Sequence, residues 1–260
     1  YTTLFRSAWF QLDSLPQAIV NYRSCLATAP DFFRGYLNLA IAYYTLEDEP
    51  STISTLRHAL MLEPDDIKAR MLLGAAYRNA GALPLAIVEF QRVLELDPRQ
   101  DRAYIALGEM FRELGDAFES IYWLVQYPQF GDNAPYALLL LADIYTEMDD
   151  HAKALYYLRK SFQKNPENRW ALYRIVSMLN KLDRQLVAIE EAKRGLQIFP
   201  GFAELALMAG NIAFTQKHWF EAERFYTFAK NNGSPQAIVG LENVKNVLQA
   251  EKDSGFGNSP

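Results

Sequence analysis

Apolar residues recur along this chain at helical spacing, and the spacing is set within a longer unit of 34 residues. Prolines mark that unit at Pro30, Pro64, Pro98, Pro166 and Pro200, so the intervals are 34, 34, 68 and 34. A fixed period of this length indicates an array of structural repeats, each one a small group of secondary-structure elements.

Each unit contains two apolar stripes. If each proline is position 32, positions 4, 7, 8 and 11 share one helical face, and positions 20, 24, 27 and 28 share another. Small residues at position 8, such as Gly74 and Gly108, and at position 20, such as Ala86, allow two antiparallel helices to approach closely. A turn at positions 15–18 joins the helices, and the proline ends the second one because it cannot continue the hydrogen-bond ladder.

The clearest unit, residues 67–100, resembles the tetratricopeptide repeat family. The residues that carry the resemblance are Leu73, Gly74, Tyr77, Gly81, Ala86, Phe90 and Pro98. The resemblance implies an all-α fold: a right-handed α-solenoid of about six and a half to seven helix-turn-helix repeats plus a C-terminal capping helix. Neighbouring repeats must stack, because no single unit buries its apolar face alone.

The register places the repeats at 8–32, 33–66, 67–100, 101–134, 135–168, 169–202 and 203–234. A solvating helix is expected over 235–252, with Ser234 as its N-cap and Pro235 as its first residue. We expect a disordered tail at 253–260. The segment from Tyr127 to Asn133 departs from the pattern, and we expect it to distort the fourth repeat.

The first seven residues, Tyr-Thr-Thr-Leu-Phe-Arg-Ser, resemble the translated end of a sequencing adapter. We interpret residues 1–7 as non-native; the alternative is a natural segment that matches by chance. On this interpretation the native sequence starts near Ala8, within a helical pattern, and its true N-terminus is missing. An environmental, bacterial source is expected, and the compartment stays open: cytoplasmic, periplasmic or membrane-tethered.

Composition narrows the function. The 260 residues are 50% apolar and 22% charged, with a formal net charge of −5. An excess of acid disfavours general nucleic-acid binding, so no nucleic-acid partner is predicted. The longest apolar run, 137–142, is far shorter than a membrane span, so no direct membrane insertion is predicted for this chain. The single cysteine, Cys25, excludes an intramolecular disulfide and is expected to be a buried structural thiol.

No pattern predicts catalysis. The three histidines, His58, His151 and His218, fall in different repeats and are interpreted as surface residues. The carboxylate pairs Asp65-Asp66 and Asp149-Asp150 fall at turns and helix starts, where they are expected to cap helices. Phosphate-loop and nucleophile-elbow motifs are absent from the sequence. We therefore predict a protein that is not an enzyme, with no cofactor and no metal site.

The resemblance also implies a binding groove, lined by positions 2, 5, 9, 12 and 13 of each first helix. In the N-terminal half this surface is basic and aliphatic, and in the C-terminal half it is aromatic and mildly acidic. The candidate groove residues are Arg34, Leu37, Tyr44, Lys68, Met71, Arg78, Arg102, Ile105, Arg112, Tyr136, Asp143, Trp170, Tyr173, Asn180, Asn211 and Phe214. Position 5 never carries lysine, which excludes the chaperone clamp of some family members.

The sequence thus predicts a protein–protein interaction scaffold that binds a peptide or a partner helix in the concave groove. An acidic or carboxylate-bearing stretch is expected at the basic half, with Arg78 and Arg112 as its ligands. The alternative is that the array forms the C-terminal regulatory or targeting region of a larger enzyme or membrane-associated protein.

Overall fold

A computed structural model describes residues 15–127 and 134–253, and within these ranges it contains fourteen helices and no strand. The helices are α1 Leu15–Thr28, α2 Phe33–Thr45, α3 Glu49–Leu62, α4 Ile67–Asn79, α5 Leu83–Leu96, α6 Asp101–Glu113, α7 Ala117–Gln126, α8 Ala134–Glu147, α9 His151–Lys164, α10 Arg169–Lys181, α11 Gln185–Ile198, α12 Ala203–Thr215, α13 Trp219–Asn231 and α14 Gln236–Asp253. The predicted all-α helical-repeat fold is confirmed. The predictions for residues 1–7 and for 254–260 lie outside the described residues.

The chain divides into two compact units, 1–131 and 132–260. The N-terminal unit contains α1–α7 and the C-terminal unit contains α8–α14. Within each unit every helix packs on the next one along the chain, both inside a repeat and between repeats. In the N-terminal unit the buried apolar side chains form clusters between stacked helices, and the half-buried Tyr36 and Tyr77 each contact two of these clusters.

Glycines stand where the two helices of a repeat cross. A Cβ atom at Gly74 would lie 2.9 Å from Cε2 of Phe90, and one at Gly108 would lie 2.5 Å from Cγ of Leu124. These are contacts between positions 8 and 24 of one repeat. The Ser120 hydroxyl adds a hydrogen bond across the same crossing, donating to the carbonyl of Gly108 at 2.6 Å. The predicted close approach at position 8 is confirmed.

The turn between the two helices has the same backbone conformation in six repeats. Position 15 always has a positive φ, between 55° and 78°, whether or not it is glycine. The residues are Glu47, Gly81, Gly115, Asp149, Asp183 and Lys217. A side chain makes this left-handed conformation costly, but the conformation lets the first helix close with a local hydrogen bond. In all six repeats position 16 donates its backbone N–H to the carbonyl of position 11, as Ala82 does to Tyr77 at 2.8 Å and Asp150 to Tyr145 at 2.9 Å.

Carboxylates cap several helices, as predicted. Asp66 accepts from the backbone N–H of Ala69 at 2.7 Å, and Asp150 accepts from that of Lys153 at 3.0 Å. Asp65, in contrast, forms an ion pair with Arg92.

Two features differ from the regular pattern. Helix α7 has ten residues, whereas the second helices of the other complete repeats have thirteen or fourteen. It ends at Gln126 because the residue before Pro128 is held out of the helical conformation. Cys25 is exposed, so the prediction of a buried thiol was wrong. Among the described helices α1 packs against α2, through Tyr22 and Leu26, and Cys25 lies off that stripe.

Helix α14 covers the last repeat of the C-terminal unit. It packs against α12 and α13, and it buries Ala237, Gly240 and Val244. The ring of Tyr226 on α13 lies against both Gly210 and Gly240. Ser234 donates its hydroxyl to Gln236, and the helix starts one residue later than the sequence predicted.

Candidate functional site

Three cations occupy the second residue of the first helices in the N-terminal unit. They are Arg34 on α2, Lys68 on α4 and Arg102 on α6, and all three are exposed. Within the described ranges none of them forms an ion pair. The N-terminal turn of a helix carries the positive end of its dipole, where a cation costs free energy. We call these three residues the cation ladder.

The aliphatic residues beside the cation ladder differ in accessibility. Leu37 and Met71 are half-buried, whereas Ile105 is only 9% exposed. Ile105 therefore offers little surface to a partner, and its place in the binding groove stays a prediction. Ile105 lies one helical turn before Glu109, and Arg78 of the preceding repeat bridges to Glu109 over this face of α6.

Arg78 is already neutralised within the chain. Its guanidinium pairs with Glu109 at 2.5 Å and also with Glu113, so α4 and α6 are linked across the predicted groove surface. Burial lowers the pKa of Arg78, but the hydrogen bonds that its guanidinium donates to Glu109 and Glu113 outweigh burial, and the net pKa is raised. The expectation that Arg78 binds a carboxylate of a partner stays a prediction, but Glu109 and Glu113 already pair with its guanidinium. Tyr44 on α2 and Arg112 on α6 are half-buried.

The C-terminal unit has a similar link and a more aromatic surface. Arg174 on α10 pairs with Asp143 on α8, so Asp143 is also engaged inside the unit. Tyr136 and Trp170 are 47% and 48% exposed. Asn180 is exposed at the end of α10.

Two further predicted residues of this unit have partners within it. Asn211 accepts a hydrogen bond from the hydroxyl of Tyr226 at 2.8 Å, and burial raises the pKa of that tyrosine. Phe214 meets the edge of Trp219 with ring centroids 5.1 Å apart. Both residues thus contact α13, the second helix of the same repeat.

An aromatic cluster surrounds Arg169 at the start of α10. Trp170 meets Phe202 edge to face at 5.3 Å between centroids, and Tyr173 lies 5.7 Å from Trp170. The guanidinium carbon of Arg169 lies 5.1 Å from the ring centre of Phe202 and 5.6 Å from that of Trp170. Phe202 is almost fully buried, so it anchors the cluster to the core.

A cavity of about 610 Å³ adjoins this cluster within the C-terminal unit. Its walls come from α10, from α12 and from the connection between α13 and α14. The sequence prediction contained Tyr173 and Asn211 but missed Arg169, Asn232 and Gln236, which also line it. Arg169 is the first residue of its repeat and lies outside the five groove positions. The sequence feature that could have pointed to Arg169 is Phe202, the aromatic residue directly before α12.

The described residues hold no group of three or more side chains suited to bind a metal ion. His58 stacks on Tyr36 at 6.0 Å, and His218 lies 3.6 Å from Glu221. His151 begins α9 in a different repeat from either. In the part of the chain that the structure covers, no helix has the length and apolarity needed to cross a bilayer.

These features define an α-helical repeat protein in which the two helices of a repeat contact each other through equivalent positions, such as 8 and 24. The family model described as "Tetratricopeptide repeat" matches residues 135–168, which supports the resemblance that the sequence predicted. A search of curated protein sequences finds no match.

Solved structures share this fold. The C-terminal part of a tetratricopeptide repeat-containing protein from Cytophaga hutchinsonii matches with a TM-score of 0.76 and 16% identity, over 91% of this chain and 99% of that chain. A tetratricopeptide repeat protein from Parabacteroides merdae matches with a TM-score of 0.58 and 13% identity, over 94% and 98%. YrrB, described as a TPR protein with an unusual peptide-binding site, matches at 0.57 and 17%, over 73% and 97%.

The fold supports a general role as a protein–protein interaction scaffold.

Proposed function

We propose that this protein binds an extended peptide or a helix of a partner protein on the face formed by its first helices, and that carboxylates of the partner contact the N-terminal unit. The cation ladder is the observation that carries the proposal. Arg34, Lys68 and Arg102 recur at one position in three consecutive repeats, and each is exposed without an ion-pair partner in the described residues.

The placement of these cations favours an external ligand. Each one stands in the first turn of a helix, where it opposes the helix dipole by about 0.3–1 kcal/mol. A partner carboxylate offsets this cost and gains a charge-assisted hydrogen bond, worth about 1.5–3 kcal/mol in a partly desolvated site. An acidic segment that follows the ladder meets one cation in each repeat.

The structure narrows the basic surface that the sequence predicted. Arg78 is held by Glu109 and Glu113, so the proposed contacts to partner carboxylates rest on position 2 of the repeat and not on position 12. Leu37 and Met71, half-buried beside the ladder, supply apolar contacts between the charged ones. YrrB, which shares the fold, is described as having a peptide-binding site.

A defined peptide tests this proposal. We expect a fluorescein-labelled, capped peptide GSELELESG to bind the full chain, and its glutamine counterpart GSQLQLQSG to bind more weakly, in fluorescence anisotropy titrations. Lys68→Glu should weaken binding of the acidic peptide at least about tenfold, which is about 1.4 kcal/mol.

Arg57→Glu is the matched control, because it makes the same change in net charge on the second helix α3 of the same unit. Arg57 is exposed and has no ion pair among the residues described. If Arg57→Glu weakens binding as much as Lys68→Glu, the effect is one of net charge and the first-helix surface is not the binding site.

A further inference from the structure

The C-terminal unit carries a second arrangement that the groove pattern does not include. Arg169 is exposed, yet its guanidinium is held beside two aromatic rings. In the described residues its side chain has no hydrogen-bond or ion-pair partner. An arginine that lies over aromatic rings keeps its five N–H donors for a planar anion, because the contact with the rings uses no hydrogen bond.

The cavity beside Arg169 offers two further kinds of contact. Glu204, in the first turn of α12, lines it and has no ion-pair partner within the described part of the chain. Leu207 and Met208, one turn further along α12, supply half-buried apolar surface, and Tyr173 faces the same space. The lining therefore combines one cation, one anion and an apolar wall.

Two backbone connections approach each other closely beside the cavity. Gly201 has a φ of +94°, and a Cβ atom there would lie 3.3 Å from Oδ1 of Asn232. The connection before α12 and the connection before α14 thus meet at this glycine. Their contact forms one wall of the cavity, so its shape depends on α14 being docked on the last repeat.

We propose that this cavity binds a peptide segment with an acidic and a basic side chain separated by apolar residues. The carboxylate pairs with Arg169, the basic group pairs with Glu204, and the apolar residues pack on Leu207 and Met208. This proposal rests on the peptide-binding function proposed above and adds a site and a ligand chemistry to it. Arginine forks bind carboxylates through two parallel hydrogen bonds, and the opposite charge of Glu204 selects against a wholly acidic segment.

Three capped, fluorescein-labelled peptides test the proposal by anisotropy with the full chain: GELLKG, GQLLKG and GELLQG. We expect GELLKG to bind about tenfold more tightly than GQLLKG or GELLQG, each of which lacks one of the two charged side chains. Arg169→Gln should abolish the preference for GELLKG over GQLLKG and leave the affinity for GQLLKG unchanged. Glu204→Gln should abolish the preference for GELLKG over GELLQG.

Comparing the two peptides distinguishes a direct contact between Arg169 and the peptide from a role of Arg169 in packing. A loss of affinity for GELLKG and GQLLKG alike in Arg169→Gln would show that Arg169 only supports Trp170 and Phe202, and would overturn the proposal. Equal affinity of wild type for all three peptides, or absence of binding, would overturn it as well. Arg57→Glu should leave the binding of GELLKG unchanged, because Arg57 lies on a second helix of the N-terminal unit and belongs to neither proposed site.

The two proposals fail in different ways. If GSELELESG binds through Lys68 and GELLKG shows no preference, the proposed function stands and the cavity proposal falls. If neither peptide binds, both are wrong.

Discussion

At the scale of single residues, the spacing of the two helices in a repeat depends on the absence of a side chain at position 8. Gly74 faces the ring of Phe90, which is 3% exposed and has little space to move. Glycine in a helix costs about 1 kcal/mol relative to alanine. Its use here shows that close contact of the helices outweighs the lost helix propensity.

Gly74→Leu should therefore destabilise the protein. Overpacking a core contact costs about 1–3 kcal/mol, and we expect a net loss of at least about 1 kcal/mol in urea unfolding. Ala75→Leu is the control, because Ala75 is next in the same helix and half-exposed. If Gly74→Leu unfolds at the same urea concentration as the parent, the contact between positions 8 and 24 is not a determinant of stability.

Single residues also show what sequence reasoning leaves out. Position 8 was predictable, since a period of 34 and a small residue suffice to place a helix crossing. The state of Arg78 was not, because its partners Glu109 and Glu113 lie 31 and 35 residues away and their rotamers decide the pairing. Arg169 was missed for the same reason, as its role depends on Trp170 and Phe202 around it.

At the scale of the element, the first helices of the N-terminal unit all carry a cation at their second residue, but their N-termini are capped differently. Helix α4 has a side-chain cap from Asp66, whereas α2 starts after Phe32 without one and has no acidic residue in its first turn. Among these helices, the N-terminus that Arg34 occupies therefore has the fewest acceptors or negative charges to offset the helix dipole. A residue that opposes the stability of its own helix is a candidate for function.

Arg34→Glu should stabilise the fold while it weakens binding of GSELELESG. A carboxylate in the first turn interacts favourably with the helix dipole, and replacing a cation there should add about 0.3–1 kcal/mol to the free energy of unfolding at low salt. Arg57→Glu lies in the middle of α3 and should give no such gain. A destabilised Arg34→Glu variant would show that Arg34 has a structural role, and the ladder argument would fail at that position.

At the scale of the whole molecule, one register of 34 residues runs through both compact units. The positive φ at position 15 recurs from Glu47 to Lys217, although four of the six residues are not glycine. The repeat, the helix pairs and the turn could thus be predicted from periodicity alone. The shortened α7 was anticipated as a distortion because Pro128 breaks the pattern there.

The candidate site was less predictable than the fold for a physical reason. The period of 34 residues reveals which residues face the core, because every repeat must bury apolar side chains at equivalent positions. Surface residues such as Asp143 and Arg174 are constrained only by each other, so their pairing leaves no periodic signal. The cavity beside Arg169 is also lined by Pro235 and Gln236, which lie beyond the last repeat.

Site-specific photo-crosslinking tests the central claim, that the first-helix face binds the partner, most directly. p-Benzoyl-phenylalanine is placed at Ala75 on the first helix α4, or at Val88, which is 58% exposed on the second helix α5. Each protein is irradiated with labelled GSELELESG. We predict a cross-linked product from Ala75, lost on competition with unlabelled peptide, and none from Val88. A competed product from Val88 and none from Ala75 would place the peptide on the second helices and contradict the account.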